Sequence, residues 1–176
     1  MRLWVWRHFR LELPDDWEML QFSRNPHAGR CAFADRYQFR LEMSWQVLAG
    51  PPNMDRLVSD YLGKLKLDGT MPDAVRADHA PWVGLRGRQG GVPTTRFSRH
   101  FPATQCLIEV VFLWPEGEDA ALQEQILGSI GPEPDWPGGL RRWRAFGLDL
   151  LATGSLVLGE CEVEPALARL AFSDER

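Results

Sequence analysis

Lysine is almost missing from this chain. Of its twenty basic residues only Lys64 and Lys66 are lysines; the other eighteen are arginines. Arginine forks bind carboxylates and phosphates in bidentate fashion, which a lysine cannot do. A GC-rich coding sequence produces the same bias without any such binding. Cysteine is scarce as well: Cys31, Cys106 and Cys161 are widely spaced, form no CxxC, and lie in apolar runs. That excludes a disulfide framework and a zinc ribbon, and free cysteines of this kind behave as small buried hydrophobes suited to a reducing compartment. No apolar run approaches the roughly 18 residues that span a bilayer. The opening MRLWVWRHFRLELPDDW carries charges at positions 2, 7 and 10 and has no apolar stretch of the signal-peptide type. The expectation is a soluble, cytoplasmic protein with no membrane contact. A net charge of −4 gives no reason to expect nucleic acid as a partner.

Catalytic signatures are missing too. His8, His27, His79 and His100 sit in separate segments, with no HxH, HExxH or GxSxG. Cys106 and His100 face each other only if the Pro102-Ala103 turn sets them so, and no orienting Asn or Asp accompanies them. Gly84 to Gly91 is glycine-rich and basic, but it leads into Pro93 and a strand, whereas a phosphate cradle leads into a helix. The sequence therefore assigns no catalytic residue, no metal ligand and no cofactor.

What the chain does have is alternation. In Gln38–Val47, QFRLEMSWQV, the residues Phe39, Leu41, Met43, Trp45 and Val47 alternate with polar ones. Such a run is a strand with one apolar and one polar face. Before it, residues 3–13, 17–22 and 30–34 read as three further strands, with Pro14-Asp15-Asp16 as a hairpin turn, making a four-stranded antiparallel meander. Asn53 caps a helix whose apolar stripe is Met54, Leu57, Val58, Tyr61, Leu62 and Leu65, the expected cover for the apolar face of 38–47. Residues 82–88 and 92–101 form a hairpin about Gly90-Gly91, 104–114 an inner strand, and 119–130 a second helix. The fold class expected is α+β: a mainly antiparallel sheet of about seven to nine strands covered by two main helices.

Residues 132–139 hold three prolines and two glycines and read as a linker between a domain at 1–131 and a tail at 140–176. The tail repeats the beginning. Trp143-Arg-Ala-Phe-Gly-Leu-Asp-Leu150 matches Trp6-Arg-His-Phe-Arg-Leu-Glu-Leu13 at an offset of 137, and Arg169–Asp174 matches Arg30–Asp35 at 139. The tail is thus expected to supply three strands and to stop before a counterpart of 38–47. It completes the sheet of its own chain, pairs with a second chain as a dimer, or belongs to a longer tandem protein.

The order of elements resembles the PsbP-like family of photosystem II extrinsic proteins and their Ran-binding relatives. The residues that carry it are Leu13-Pro14-Asp15-Asp16-Trp17 and Gln125-Ile126-Leu127-Gly128-Ser129-Ile130, and it spans about residues 9–131. The resemblance implies a layered α+β fold acting in binding or assembly; it transfers no functional residue. Arg86, Arg88, Arg96 and Arg99 lie on the 82–101 hairpin, which has no Asp or Glu between Pro81 and Thr104. With Arg40 they are the candidate contacts for an anion or an acidic partner surface. The functional expectation is a protein-binding or self-associating domain. The alternative is an enzyme or small-ligand binder with a pocket near the polar face of 38–47 (Arg40, Glu42, Ser44).

Overall fold

Residues 3–13 do not form one strand; they fold back on themselves. In the computed structural model, which describes residues 1–164 and 167–174, β1 (Arg2–Trp6) and β2 (Phe9–Leu13) make a tight hairpin with Trp6 opposite Phe9. Both turn residues, Arg7 and His8, are left-handed (φ 50° and 74°). That geometry lets a two-residue turn follow the twist of its strands. Pro14-Asp15-Asp16 is consequently no hairpin turn. It carries the chain to a second sheet, where β3 (Glu18–Phe22), β4 (Ala28–Ala34) and β5 (Phe39–Val47) form a three-stranded meander.

Helix α1 (Met54–Leu67) follows, its first turn fixed by the Asn53 side chain accepting from the Arg56 amide at 3.0 Å. Next come β6 (Val75–Arg76), β7 (Val83–Gln89), β8 (Val92–Phe101), β9 (Cys106–Leu113), α2 (Ala120–Ser129) and β10 (Gly131–Pro132). The β7–β8 turn is Gly90-Gly91, with φ of 57° and 84°. The tail forms β11 (Leu140–Ala145), β12 (Leu148–Thr153), β13 (Leu156–Glu164) and β14 (Leu167–Asp174). It has four strands where three were predicted, because its first strand also splits into a hairpin. Glu175 and Arg176, the end of the predicted repeat, lie outside the described residues.

Among the described residues the strands make a seven-stranded sheet (β3-β4-β5-β9-β8-β7-β6), a five-stranded sheet (β10-β2-β1-β11-β12) and the β13-β14 pair. The apolar face of β5, with its register neighbours Cys31, Phe33, Ile108, Val110 and Phe112, is buried against Trp4, Trp6, Phe9, Leu11 and Leu13 of the five-stranded sheet. Trp4 meets Phe33 edge-on at 5.4 Å, and Phe9 meets Phe101 at 5.8 Å. Helix α2 closes the same layer through Ile126 and Leu127. Its Gln123 Oε1 accepts from Thr95, which in turn accepts from Trp114 Nε1.

The α+β expectation of one sheet of seven to nine strands covered by two helices is therefore wrong. Strands take 53% of the chain and helix 14%, so this is a mainly-sheet protein. Sheet packs on sheet because the large aromatics of β1 and β2, not a helix, take the apolar face. Helix α1 lies on the opposite, polar face, contrary to expectation. Its Leu65, with Tyr61 and Leu62 beside it, finds a separate small core of Met71, Ala74 and Leu85; Leu85 shares a face with Arg96, Val111 and Glu42 through direct register pairs. The 132–139 stretch is tied down as well: β10 pairs with β2, and the Glu133 amide donates to the His8 carbonyl at 2.7 Å.

The tail copies β1–β4 strand for strand at a constant offset of 139. Arg2 pairs with Leu13 as Arg141 pairs with Ala152, and Trp6 with Phe9 as Ala145 with Leu148. The β3–β4 register slips between Met19 and Gln21, and the β13–β14 register between their counterparts Leu158 and Glu160. Phe146 and Gly147 repeat the left-handed turn (φ 54° and 78°). The edge-on Trp4–Phe33 contact recurs as Trp143–Phe172 at 5.2 Å. The sequence match at 137 was two residues out of register, a slip that preserves strand alternation and so leaves the pattern intact.

The copies meet through β1 and β11, which run antiparallel with Val5 opposite Arg144. Arg144 is Val5's own counterpart, so a pseudo-two-fold axis passes through that pair, as in a two-fold dimer. The flanking contacts obey it: the Arg7 guanidinium lies over Trp143 at 5.5 Å, and Phe146, the counterpart of Arg7, packs on Trp4 at 6.2 Å.

The glycine at position 29 is not repeated in the tail. A Cβ on Gly29 of β4 would lie 2.5 Å from Trp45 of β5 and 2.6 Å from the Ser23 Cβ; its counterpart is Ala168. Gly29→Ala is expected to cost about 1–3 kcal/mol by overpacking, and Ala168→Gly under about 1 kcal/mol. Urea denaturation of both variants checks this; equal losses would contradict this difference between the copies.

Candidate functional site

The five predicted arginines do not converge. In the β7–β8 register Arg86 stands opposite Thr95 and Leu85 opposite Arg96, so Arg86 and Arg96 point to opposite faces. Arg86 and Arg88 are both exposed. Arg88 donates to the Gly91 carbonyl at 2.9 Å within its own turn. Arg96 reaches under α1, donating to the Tyr61 hydroxyl and to Gln89 Oε1 at 2.6 Å. Arg99 lies against the rings of Phe101 (4.6 Å) and Trp82 (5.9 Å). Arg40, on β5 two strands away from β8, is neutralised by Asp35 (2.5 Å) and Glu116 (3.1 Å). His100 and Cys106 do not face each other either: His100 pairs with Leu107 and Cys106 with Phe101. Burial pushes the Cys106 thiol pKa up. Among the described residues no three His, Cys, Asp or Glu side chains are grouped to hold a metal.

The structure does form a groove where α1 overhangs the polar face of the large sheet. It is an open groove of about 670 Å³, lined by Asn53, Arg56, Leu57, Asp60, Tyr61, Lys64 and Glu109. Glu109 comes from β9, between Ser44 of β5 and Ser98 of β8. Burial raises its pKa, and Glu42 adds to this, against the pull of Arg96 and a hydrogen bond from Ser98. The sequence reading passed over this residue. The available signal was its being the single acid in TQCLIEVVFLW, a run otherwise suited to a sheet interior.

A second feature is the face of the tail. Trp143, Ala145 and Leu158 stay buried like their counterparts Trp4, Trp6 and Met19, but other positions enclosed in the first copy are only half-covered in the second. Leu11, Cys31 and Phe33 are 0% exposed, whereas their counterparts Leu150, Leu170 and Phe172 are partly buried at the margin of the core. Along β13 the inward face opens progressively, from Leu158 at 2% through the intermediate Cys161 to Val163 at 40%. The hairpin is held to the first copy by Arg7, which donates to the Leu158 carbonyl (3.4 Å), and Arg24, which donates to Gly159 (2.5 Å). Burial and the neighbouring Arg24 lower the Arg7 pKa to about 10, still charged at neutral pH.

No protein-family model matches the chain, and no curated protein matches it. Among solved structures, a crystal structure from Bacteroides thetaiotaomicron VPI-5482 is similar over 77% of this chain at 14% identity, with a TM-score of 0.42. This chain spans about half of that protein's length (49%). No helix of the described residues is long and apolar enough to cross a membrane.

Because Glu109 holds its proton more tightly in the fold than in the unfolded chain, its contribution to stability is present below the carboxylate range and is lost as pH rises through it. Glu109→Gln is expected to match the parent near pH 4 and to be the more stable of the two at pH 7. Denaturation at the two pH values checks this; a variant less stable at pH 7 would show that the carboxylate is stabilised by its neighbours.

Proposed function

We propose that the chain is a protein-binding or assembly domain whose contact surface is the half-covered face of β11–β14. One observation carries this reading: the same four strands occur twice, and Leu11, Cys31 and Phe33, sealed in the first copy, have partly open counterparts in Leu150, Leu170 and Phe172. Fully covering an exposed Leu or Phe contributes about 1.5–3 kcal/mol; Leu150, Leu170 and Phe172 are already partly buried, so a partner seated there gains a fraction of that from each. Contiguous apolar faces of this kind mark protein contacts more often than small-molecule sites. A binding or assembly role is also what the resemblance of residues 9–131 implies.

The small-ligand alternative is supported by the α1 groove, where the half-buried Glu109 carboxylate floors an open cleft of about 670 Å³. Its mixed charges, Arg56 and Lys64 against Asp60 and Glu109, suit a polar zwitterion better than the simple anion that the arginine hairpin suggested.

A benzoylphenylalanine at Val163, at the open end of the face, is compared in growing cells with one at Leu67, which is 91% exposed on α1. The Val163 position should give a protein adduct of one discrete mass, its attached segment identifiable by mass spectrometry, and Leu67 should give none. Equal labelling from both positions, or none from Val163, would refute the proposed surface.

A further inference from the structure

We propose that β14 is a strand acceptor: its open edge takes an extended segment of a partner polypeptide in the place and direction that β5 occupies on β4. This deepens the protein-binding reading and rests on it. The correspondence of β14 with β4 includes Arg169 for Arg30, Ala171 for Ala32, Phe172 for Phe33 and Asp174 for Asp35, together with the register slip shared by the two hairpins. In the first copy the backbone of β4 turns alternately to its two neighbours. The Arg30 carbonyl accepts from Ser23 beside β3, and the His27 carbonyl accepts from Val47 of β5. Gly29, Cys31 and Phe33 therefore face β5. Their counterparts Ala168, Leu170 and Phe172 turn their amides and carbonyls away from β13, toward an edge that carries no strand among the described residues. An unpaired edge of this kind, beside an apolar face, is a template for one more strand.

The first copy also specifies the occupant. On β5 the inward residues Leu41, Met43 and Trp45 stand opposite Phe33, Cys31 and Gly29. Opposite Phe172 and Leu170 the incoming strand needs apolar side chains at alternate positions. Opposite Ala168 it needs a small one, because a Cβ in that position on β4 collides with the Trp45 ring at 2.5 Å. Arg30 pairs with Glu42 at 3.8 Å, so Arg169 favours an acid between the two apolar residues. The fitting segment reads apolar, acidic, apolar, polar, small. A second copy offering its own β14 brings two Arg169 side chains to one face with no acid at the Glu42 position, so charge favours a separate segment over self-pairing.

The test uses the intact chain and a fluorescent peptide of residues 38–47 carrying Trp45→Ala. Three measurements are made: anisotropy, amide hydrogen exchange by NMR, and light scattering. The expected result is saturable binding, about tenfold or more tighter than that of the same peptide with Leu41→Asp and Met43→Asp. Exchange should slow at Ala168, Leu170 and Phe172, and stay unchanged at Arg169 and Ala171, which already face β13. Absence of binding, or slowed exchange only elsewhere, overturns the proposal. So does protection of the same three amides in a concentration-dependent dimer without peptide, which would assign the edge to a second copy. If the peptide fails while the Val163 adduct forms, strand addition is wrong and the protein-binding surface stands; if both fail, the surface itself is wrong.

Discussion

The antiparallel contact of β1 with β11 is the constraint on which the rest of the architecture depends. It joins two copies of one four-stranded unit about the Val5–Arg144 pair. It also makes β2-β1-β11-β12 a single surface on which the seven-stranded sheet can pack. The aromatic cluster at that junction has members from both copies: Trp6 meets Trp143 at 5.4 Å and Phe146 at 5.9 Å. Aromatic pairs of this kind contribute about 0.5–1.5 kcal/mol each beyond their area. In two-fold dimers the same patch meets itself across the axis; here one chain supplies both sides. The tail thus acts toward the first unit as an intramolecular partner subunit.

From that constraint follows the unequal burial of the two copies. The first unit continues into β5, β9, β8 and α2, which seal its apolar face. Among the described residues the second is covered by its own hairpins and the margin of the first unit's core. Arg7 and Arg24 hold β13 by its bulge carbonyls, so the open face is presented on a fixed platform rather than on a loose tail. A fixed, half-covered sheet whose edge carries no strand among the described residues would lower the ordering cost of the proposed binding. The polar groove under α1 lies on the other side of the large sheet and is independent of this arrangement.

Much of the architecture was legible in the sequence where alternation and turn chemistry agreed. Strand 39–47, the Gly90-Gly91 hairpin, both helices, the first with its Asn53 cap, and the recurrence of the N-terminal pattern in the tail are all present. What was missed has identifiable causes. The β1–β2 turn is made by Arg7 and His8, which carry no turn signature; only Gly147 in the copy hinted at it. The repeat register was ambiguous by two because strands have period two. Helix α1 was placed on the wrong face because an apolar stripe does not say which apolar surface it meets, and Met71 and Ala74 lay in a stretch that read as irregular. For the sites, counting arginines along a hairpin could not show that Arg86 and Arg96 point opposite ways. Glu109 was hidden by its apolar neighbours.

The most direct measurement of the central claim, that the tail stands in for a partner subunit, is the association state of a chain ending at Gly139, followed by light scattering across a range of concentrations. Removing β11–β14 exposes the β1 edge and the Trp4 and Trp6 rings beside it. The account predicts a concentration-dependent dimer re-formed through β1, with Val5 next to its own copy at the axis. A folded monomer as stable as the full chain at all concentrations would contradict it.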